Sequence, residues 1–237
     1  MSRLFSKVVS LVGATERRRR IADQLDATGL AWSFFDAHTS IAPGLTIETT
    51  KLVRINGRPM QAGEFGCYSS HWSLLQAHAN GPPGEVMLVF EDDAIIDPLF
   101  FSDQAELIRL GNKYGLLRLG GHLTAPSAEM EILGRRRIVR FKKRIHGTLG
   151  YLVSVDAAKK LLPHLSPIRR PIDVEYDRFW AHGVGIFSVY PFPALESYKE
   201  SQVGARELRP LPMRDLVMWK ALNAIDKARR AKANIFG

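Results

Sequence analysis

The chain has 237 residues, nearly half of them apolar and a quarter charged, with a net charge of +9. This is the composition of a soluble globular protein that can bury a sizeable core, as one large domain or a domain with a small appendage. One cysteine, Cys67, excludes an internal disulfide, and no stretch approaches the ~18–20 continuous apolar residues of a membrane span. The uncharged apolar run Val8–Ala14 is short for a signal peptide, and Arg17–Arg20 behind it would oppose translocation, so a first strand is expected instead.

KVVSLV (7–12) reads as that strand, followed by a helix capped at Thr15 with Gly29 just past its end. AWSFFDA (31–37) reads as a second strand. Residues 38–60, with Pro43, Gly44, Gly57 and Pro59, have no clear period and read as a long loop. A helix is expected over 64–79, closed by Asn80-Gly81-Pro82-Pro83. EVMLVF (85–90) reads as a strand buried on both faces. Asp97-Pro98 signals a helix running to about Gly111. GLLRLG (115–120) is a further strand, and 130–133 with 136–141 suit a hairpin across Gly134. TLGYLVSV (148–155) is another strand before a helix from Asp156 to about Leu165; a helix starts near Asp173, and GIFSVYP (185–191) is a late strand. Alternating strands and helices predict an α/β fold with a mainly parallel central sheet over 1–209, followed by a basic amphipathic tail over 210–237. In that tail LVMWKALNAI (216–225) suits either a membrane surface, with Trp219 at the headgroups, or packing on the core.

Three adjacent carboxylates, Glu91, Asp92 and Asp93, follow the central strand in MLVFEDDAIIDP (87–98). They repel one another and lose hydration near a core unless a cation offsets them. In an extended chain Glu91 and Asp93 share a direction and Asp92 points away. They read either as ligands of Mn²⁺ or Mg²⁺ beside a phosphate or as a solvated, capped turn. A site is expected where strands end in an open α/β sheet. GEFGCYSSHWSLL (63–75) offers Ser70 and His71 to an anion or sugar hydroxyl; the alternatives are a structural histidine and a buried Cys67. Arg17 and Arg18 suit a diphosphate or a solvated helix face. Asp173 reads as a helix N-cap or as a general base presented at a helix start. RRRIVRFKKRIH (135–146) carries seven Lys/Arg and no acid, which suits phosphates, nucleic acid or an anionic membrane. It lacks the aromatic interleaving of a single-strand binder, and neither zinc-finger spacing nor a Gly-rich phosphate loop occurs in the chain.

VVSLVGATERRRRI, FFDAHTS, GEFGCYSSHWSLLQ, MLVFEDDAII, HGTLGYLVSVDAAKKLL and PID, then a Tyr-Pro strand and a Ser-x-Val segment near Ser201, occur in one order across residues 7–203. In that order they resemble glycosyltransferase family 25, the lipooligosaccharide-type transferases whose relatives include collagen galactosyltransferase domains. The resemblance implies a GT-A-like nucleotide-sugar-binding fold. It also implies transfer of a hexose, galactose or glucose, from a UDP-sugar to a hydroxyl of a lipid-linked or lipopolysaccharide glycan, with inversion. By position it assigns Asp93 and Glu91 to Mn²⁺ or Mg²⁺, and Arg17, Arg18, Asp36, Ser70, His71, Glu91 and Asp92 to the nucleotide sugar. Asp173 becomes the acceptor-activating base. A cytoplasmic location follows, with the tail as a peripheral contact to the inner membrane; nucleic acid is not an expected partner. The pattern departs from the family at Gly13-Ala14, in Glu-Asp-Asp where Asp-x-Asp is usual in GT-A enzymes, and in the absence of any histidine after His182. The rival readings are a sugar-nucleotide binder without turnover and a basic nucleic-acid-binding or scaffold protein. Residues 38–60 and 121–147 are where donor and acceptor selection is expected.

Overall fold

The computed structural model describes residues 3–122, 125–197 and 212–236. In chain order the elements begin β1 (Leu4–Ser10), α1 (Thr15–Asp26), β2 (Trp32–Asp36), β3 (Thr46–Ile47), α2 (Thr49–Asn56), α3 (Ala62–Ala79) and β4 (Val86–Glu91). Next come β5 (Ala94–Ile96), α4 (Pro98–Phe101), α5 (Gln104–Tyr114), β6 (Leu116–Arg118), β7 (Ser127–Leu133), β8 (Arg136–Phe141) and β9 (Gly150–Ser154). Then follow α6 (Val155–Leu165), β10 (Pro167–Ile168), α7 (Ile172–Tyr176), α8 (Phe179–His182), β11 (Ile186–Tyr190), β12 (Ala194–Glu196) and α9 (Met213–Phe236). The segment near Ser201 lies outside the described residues.

The fold is mixed α/β, built on an eight-stranded sheet of order β2-β1-β4-β9-β6-β11-β8-β7. Strands β1, β2, β4, β6, β7 and β11 run one way and β8 and β9 the other. The expected mainly parallel sheet is thus mixed: six strands share a direction, but β8 and β9 each run against both their neighbours, so four of the seven pairings are antiparallel. On β4, Met87 and Val89 face a core with Tyr68, Trp72, Leu75, Leu161 and Leu165, from α3 and α6. Val86, Leu88 and Phe90 face the opposite core with Ile21, Leu25, Leu107 and Leu110, from α1 and α5. Helices on both faces explain why this strand reads as a continuous apolar run.

Three further expectations are corrected. Thr15 does not cap α1; it is the first helical residue, and Ala14 holds the cap position and offers no side-chain cap. Residues 38–60 are not a loop throughout, because they hold β3 and α2, and α2 ends at Gly57 in the left-handed region (φ +74°). The helix expected from Pro98 to Gly111 is two: Asp97 caps α4 by accepting from Leu99 N–H, and Asp103 caps α5 by accepting from Glu106 N–H. The hairpin across Gly134 forms as expected.

Helix α9 packs on α2 and α8. Trp219 lies against Gly57, where an added Cβ would sit 2.6 Å from the indole, and Arg54 pairs with Asp215 at 2.7 Å. Asp226 is buried among Arg144, Arg170 and Arg178, at 3.6, 3.3 and 3.2 Å. The described part of the tail thus rests on the core, with Val217, Met218 and Ile225 exposed on its outer side. Among the described residues no helix is long and apolar enough to cross a membrane. The basic run is largely engaged internally: Arg136 pairs with Asp97, Arg137 with Glu129 and Arg144 with Asp226, while Arg140 stacks on Phe179.

At the end of β6, Arg118 is 2% exposed and ties three segments together. It donates to Gly147 O (2.6 Å) and Asp173 O (2.9 Å) and pairs with Asp177 (3.3 Å). Replacing one member of a buried ion pair leaves an uncompensated charge, so Arg118→Met is expected to cost about 3–5 kcal/mol, read by urea unfolding. His182 is neutral for a geometric reason. One ring nitrogen meets Tyr176 O at 3.1 Å, and the other accepts from Val184 N–H at 3.2 Å. Burial, above all, pushes its pKa down to about 4. The stabilisation is complete above the unfolded value of about 6.5 and is lost as pH falls from there toward 4. Thermal melts of wild type and His182→Gln over this range should converge as the pH drops.

Candidate functional site

The carboxyl ends of β1, β2 and β4 lie side by side, so Ser10, Asp36 and Glu91 mark one edge of the sheet. Directly after β1 the chain turns into α1, which brings Arg17 and Arg18 over that edge. Neither arginine lies on a solvated helix face. Arg17 pairs with Asp92 at 3.1 Å and with Asp93 at 3.6 Å. Arg18 donates to Ser10 O and Leu11 O, pairs with Asp36 and stacks on Phe34.

The three adjacent carboxylates have three different environments. Asp92 points toward β1 and accepts from Ser10 Oγ–H at 2.7 Å. Glu91 lies 3.3 Å from His71 Nε2 and accepts from the Thr148 hydroxyl. Burial raises the Glu91 pKa, but His71 and Thr148 outweigh it and hold the carboxyl below its usual range. Asp93 receives no such help. Its Oδ1 is buried without a hydrogen-bond partner, and burial first, then the Glu91 charge, pushes its pKa up to about 7 against the pull of Arg17.

His71 is fully buried and continues a chain of polar contacts through Tyr151 OH (2.9 Å) to Tyr176 OH (3.4 Å). Ser70 is a structural pin: it donates to Gly66 O and accepts from His38 N–H. The chain after β2 passes so close to α3 that a Cβ at Gly66 would sit 2.3 Å from His38 O. Cys67 is a thiol rather than a thiolate, because burial pushes its pKa well up. The ligand atoms of Cys67, His71 and Glu91 lie within 4.8 Å of one another, a mixed sulfur, nitrogen and oxygen set. Hard divalent cations prefer all-oxygen ligand sets; here only Glu91 offers oxygen, and Asp93 lies outside the set.

Asp173 is not the N-cap of α7; Pro171 holds that position and Asp173 lies within the first turn. Its Oδ2 accepts from Gly147 N–H (3.0 Å) and meets His146 Nδ1 at 3.4 Å. Burial pushes the Asp173 pKa up, but His146, Gly147 and Arg118 together hold it well below the usual carboxylate range.

Two cavities open here. The larger, about 1030 Å³, runs past Arg17, Ser70, His71, Asp92 and Asp93. The smaller, about 360 Å³, lies between α2, α7 and α9. They meet at Cys67, Glu91, His122, His146 and Asp173. Asp173 thus shares a wall with Glu91, and Asp36 and Arg18 are not among the lining residues of either cavity. The sequence reading missed His122, which pairs with Glu196 at 2.9 Å, and also His146, Thr148 and Glu196. For His146 and Thr148 a signal was available, since both open the HGTLGY block, and His146 is the sole non-glycine residue with positive φ (54°) among the described residues.

Residues 5–180 match the model of glycosyltransferase family 25 (LPS biosynthesis protein). A glycosyltransferase 25 family member of Aedes aegypti is 28% identical over 183 residues, covering 71% of this chain and 29% of its own. The lipooligosaccharide biosynthesis protein lex-1 of Haemophilus influenzae is 28% identical over 200 residues, covering 71% of this chain and 66% of its own. A Bos taurus protein named as a probable inactive glycosyltransferase 25 family member 3 is 26% identical over 220 residues, covering 81% of this chain and 36% of its own. The chain therefore spans less than a third of the insect relative's length and about two thirds of the bacterial one's. The family match begins in β1 and runs into α8, through every strand and turn that carries the clustered acids, and the chain belongs to glycosyltransferase family 25.

Proposed function

We propose that this chain is a GT-A-like hexosyltransferase that moves galactose or glucose from a UDP-sugar to a hydroxyl of a lipooligosaccharide-type or lipid-linked glycan, with inversion. The observation that carries this reading is the juxtaposition of two unlike carboxylates. Asp93 lines the larger cavity and carries a buried, unpartnered oxygen, and Asp173 stands where the two cavities meet.

The larger cavity is the donor cleft. Arg17 and the surroundings of Asp93 suit a diphosphate. Asp93 is the residue that would hold Mn²⁺ or Mg²⁺, because a cation supplies the partner Oδ1 lacks and removes the repulsion from Glu91. When bound, the ion offsets charge on the departing diphosphate. Glu91, already held by His71 and Thr148, is assigned to the donor sugar rather than to the ion. The anomeric carbon–oxygen bond to the diphosphate breaks, the acceptor oxygen bonds that carbon from the opposite side, and UDP leaves.

The acceptor proton goes to the Asp173–His146 pair. Asp173 is a weak base because its pKa is held so low, but it suits the task of orienting His146, which is half-exposed at the cavity junction. We assign the proton to the His146 ring. Membrane association at the cytoplasmic face would use the exposed side of α9, which carries Val217, Met218 and Ile225 as well as Lys220, Lys227 and Arg229.

Two tests follow. Asp173→Asn should lower transfer from UDP-galactose or UDP-glucose by about 10²–10⁴-fold, and His146→Gln by a comparable factor; full turnover in both would remove the pair from the reaction. Because Asp93 is about half protonated near pH 7, Mn²⁺ binding should release a proton below that pH and tighten as pH rises through it. Calorimetry in buffers of different ionisation enthalpy reads the release directly. Asp93→Asn should abolish both the proton release and the pH dependence.

A further inference from the structure

We infer that the smaller cavity is the acceptor subsite, that it takes an uncharged sugar, and that α9 builds its outer wall. The inference rests on the transferase reading above and adds to it the chemistry of the acceptor. An inverting displacement requires the nucleophile to arrive from the side opposite the leaving diphosphate. Asp93 and Arg17 line the larger cavity alone, whereas His146 and Asp173 line both. A hydroxyl reaching His146 from the smaller cavity therefore approaches from the far side.

The cavity is not positive: three arginines, Arg58, Arg144 and Arg170, line it with four carboxylates, Glu64, Glu91, Asp173 and Asp226. Arg58 is paired with Glu64, and Arg170 with Glu175. Asp226 faces both Arg144 and Arg170. Guanidiniums already matched to carboxylates leave no concentrated positive field for a phosphate or an acidic sugar. Their alternating donors and acceptors suit hydroxyls. The volume of about 360 Å³ falls at the lower end of small-ligand pockets.

Trp219 supplies the apolar part. Its indole rests on the side-chain-free surface of Gly57 and borders the cavity beside Leu222, giving the carbon–hydrogen face of a sugar ring a flat aromatic surface. Asn223, one turn along on the same helix, adds an amide. These residues lie beyond 5–180, the part of the chain that the family shares, so this wall belongs to the segment outside the family match. Acceptor selection would then rest on a segment separate from the donor cleft.

The test uses the full chain on an array of neutral oligosaccharides and their sialylated or phosphorylated counterparts, with UDP-galactose and UDP-glucose thermal shifts in parallel. Wild type should retain neutral glycans over acidic ones. Trp219→Ala should lower that retention by about tenfold or more, whereas Trp219→Phe keeps most of it. Asn223→Ala, which removes an amide without removing packing, should also lower it, and it decides the matter if Trp219→Ala disturbs folding. UDP-hexose shifts should survive in all three variants. Preference for acidic glycans, wild-type retention in both alanine variants, or no glycan retention by wild type overturns the subsite. A wild type that binds glycans but shows no UDP-hexose shift overturns the transferase reading instead.

Discussion

The arrangement depends on one buried guanidinium. Arg118 stands at the end of a short central strand and satisfies carbonyls of two segments that share no strand pairing with each other, at Gly147 and Asp173, while neutralising Asp177. A charge this deep is costly, and the carbonyls and the carboxylate that its two terminal nitrogens reach are what offset it, since Nε has no hydrogen-bond partner among the described residues. That cost makes the arrangement specific: the chain before β9 and the start of α7 must both reach Arg118. In doing so they bring Gly147 N–H, His146 and Asp173 together. The geometry of the proposed acid–base pair is thus a by-product of satisfying one arginine.

The acidic run shows how a fold distributes an electrostatic cost. Glu91 and Asp92 each have dedicated partners on neighbouring elements, His71 and Thr148 for one, Ser10 and Arg17 for the other. The unfavourable energy collects on Asp93, which is left with a distant arginine and an unpaired oxygen. Concentrating the penalty on one group is what poises a site for a ligand, because the ligand then relieves it.

Local signals carried much of the fold into the sequence. The strand at 85–90 was legible because both of its faces are buried, and the Asp97-Pro98 cap and the Gly134 hairpin because their chemistry is short-range. Helix α2 was not, because its stabilising partner is α9, more than 150 residues away, and no local period records that contact. The antiparallel insertion of β9 is a matter of connection rather than composition, so its direction is silent in the sequence. At the site, the acids announced themselves by adjacency, and the structure brings Glu91 and Asp173 to a common cavity wall. His122 and Glu196 sit alone in sequence and acquire meaning only when distant segments converge.

The attachment of α9 has a consequence for dynamics. It joins no sheet, and side-chain contacts with α2 and α8 hold it in place, Trp219 on Gly57 and Asp226 among three arginines. An element held this way can detach as a cooperative unit at a free energy below that of global unfolding, leaving the sheet and its hydrogen bonds intact. Amides of α9 would then exchange with solvent sooner than those of β4 or β9. The smaller cavity would then be uncovered without disturbing Arg17, Asp93 or the edge of the sheet that carries them.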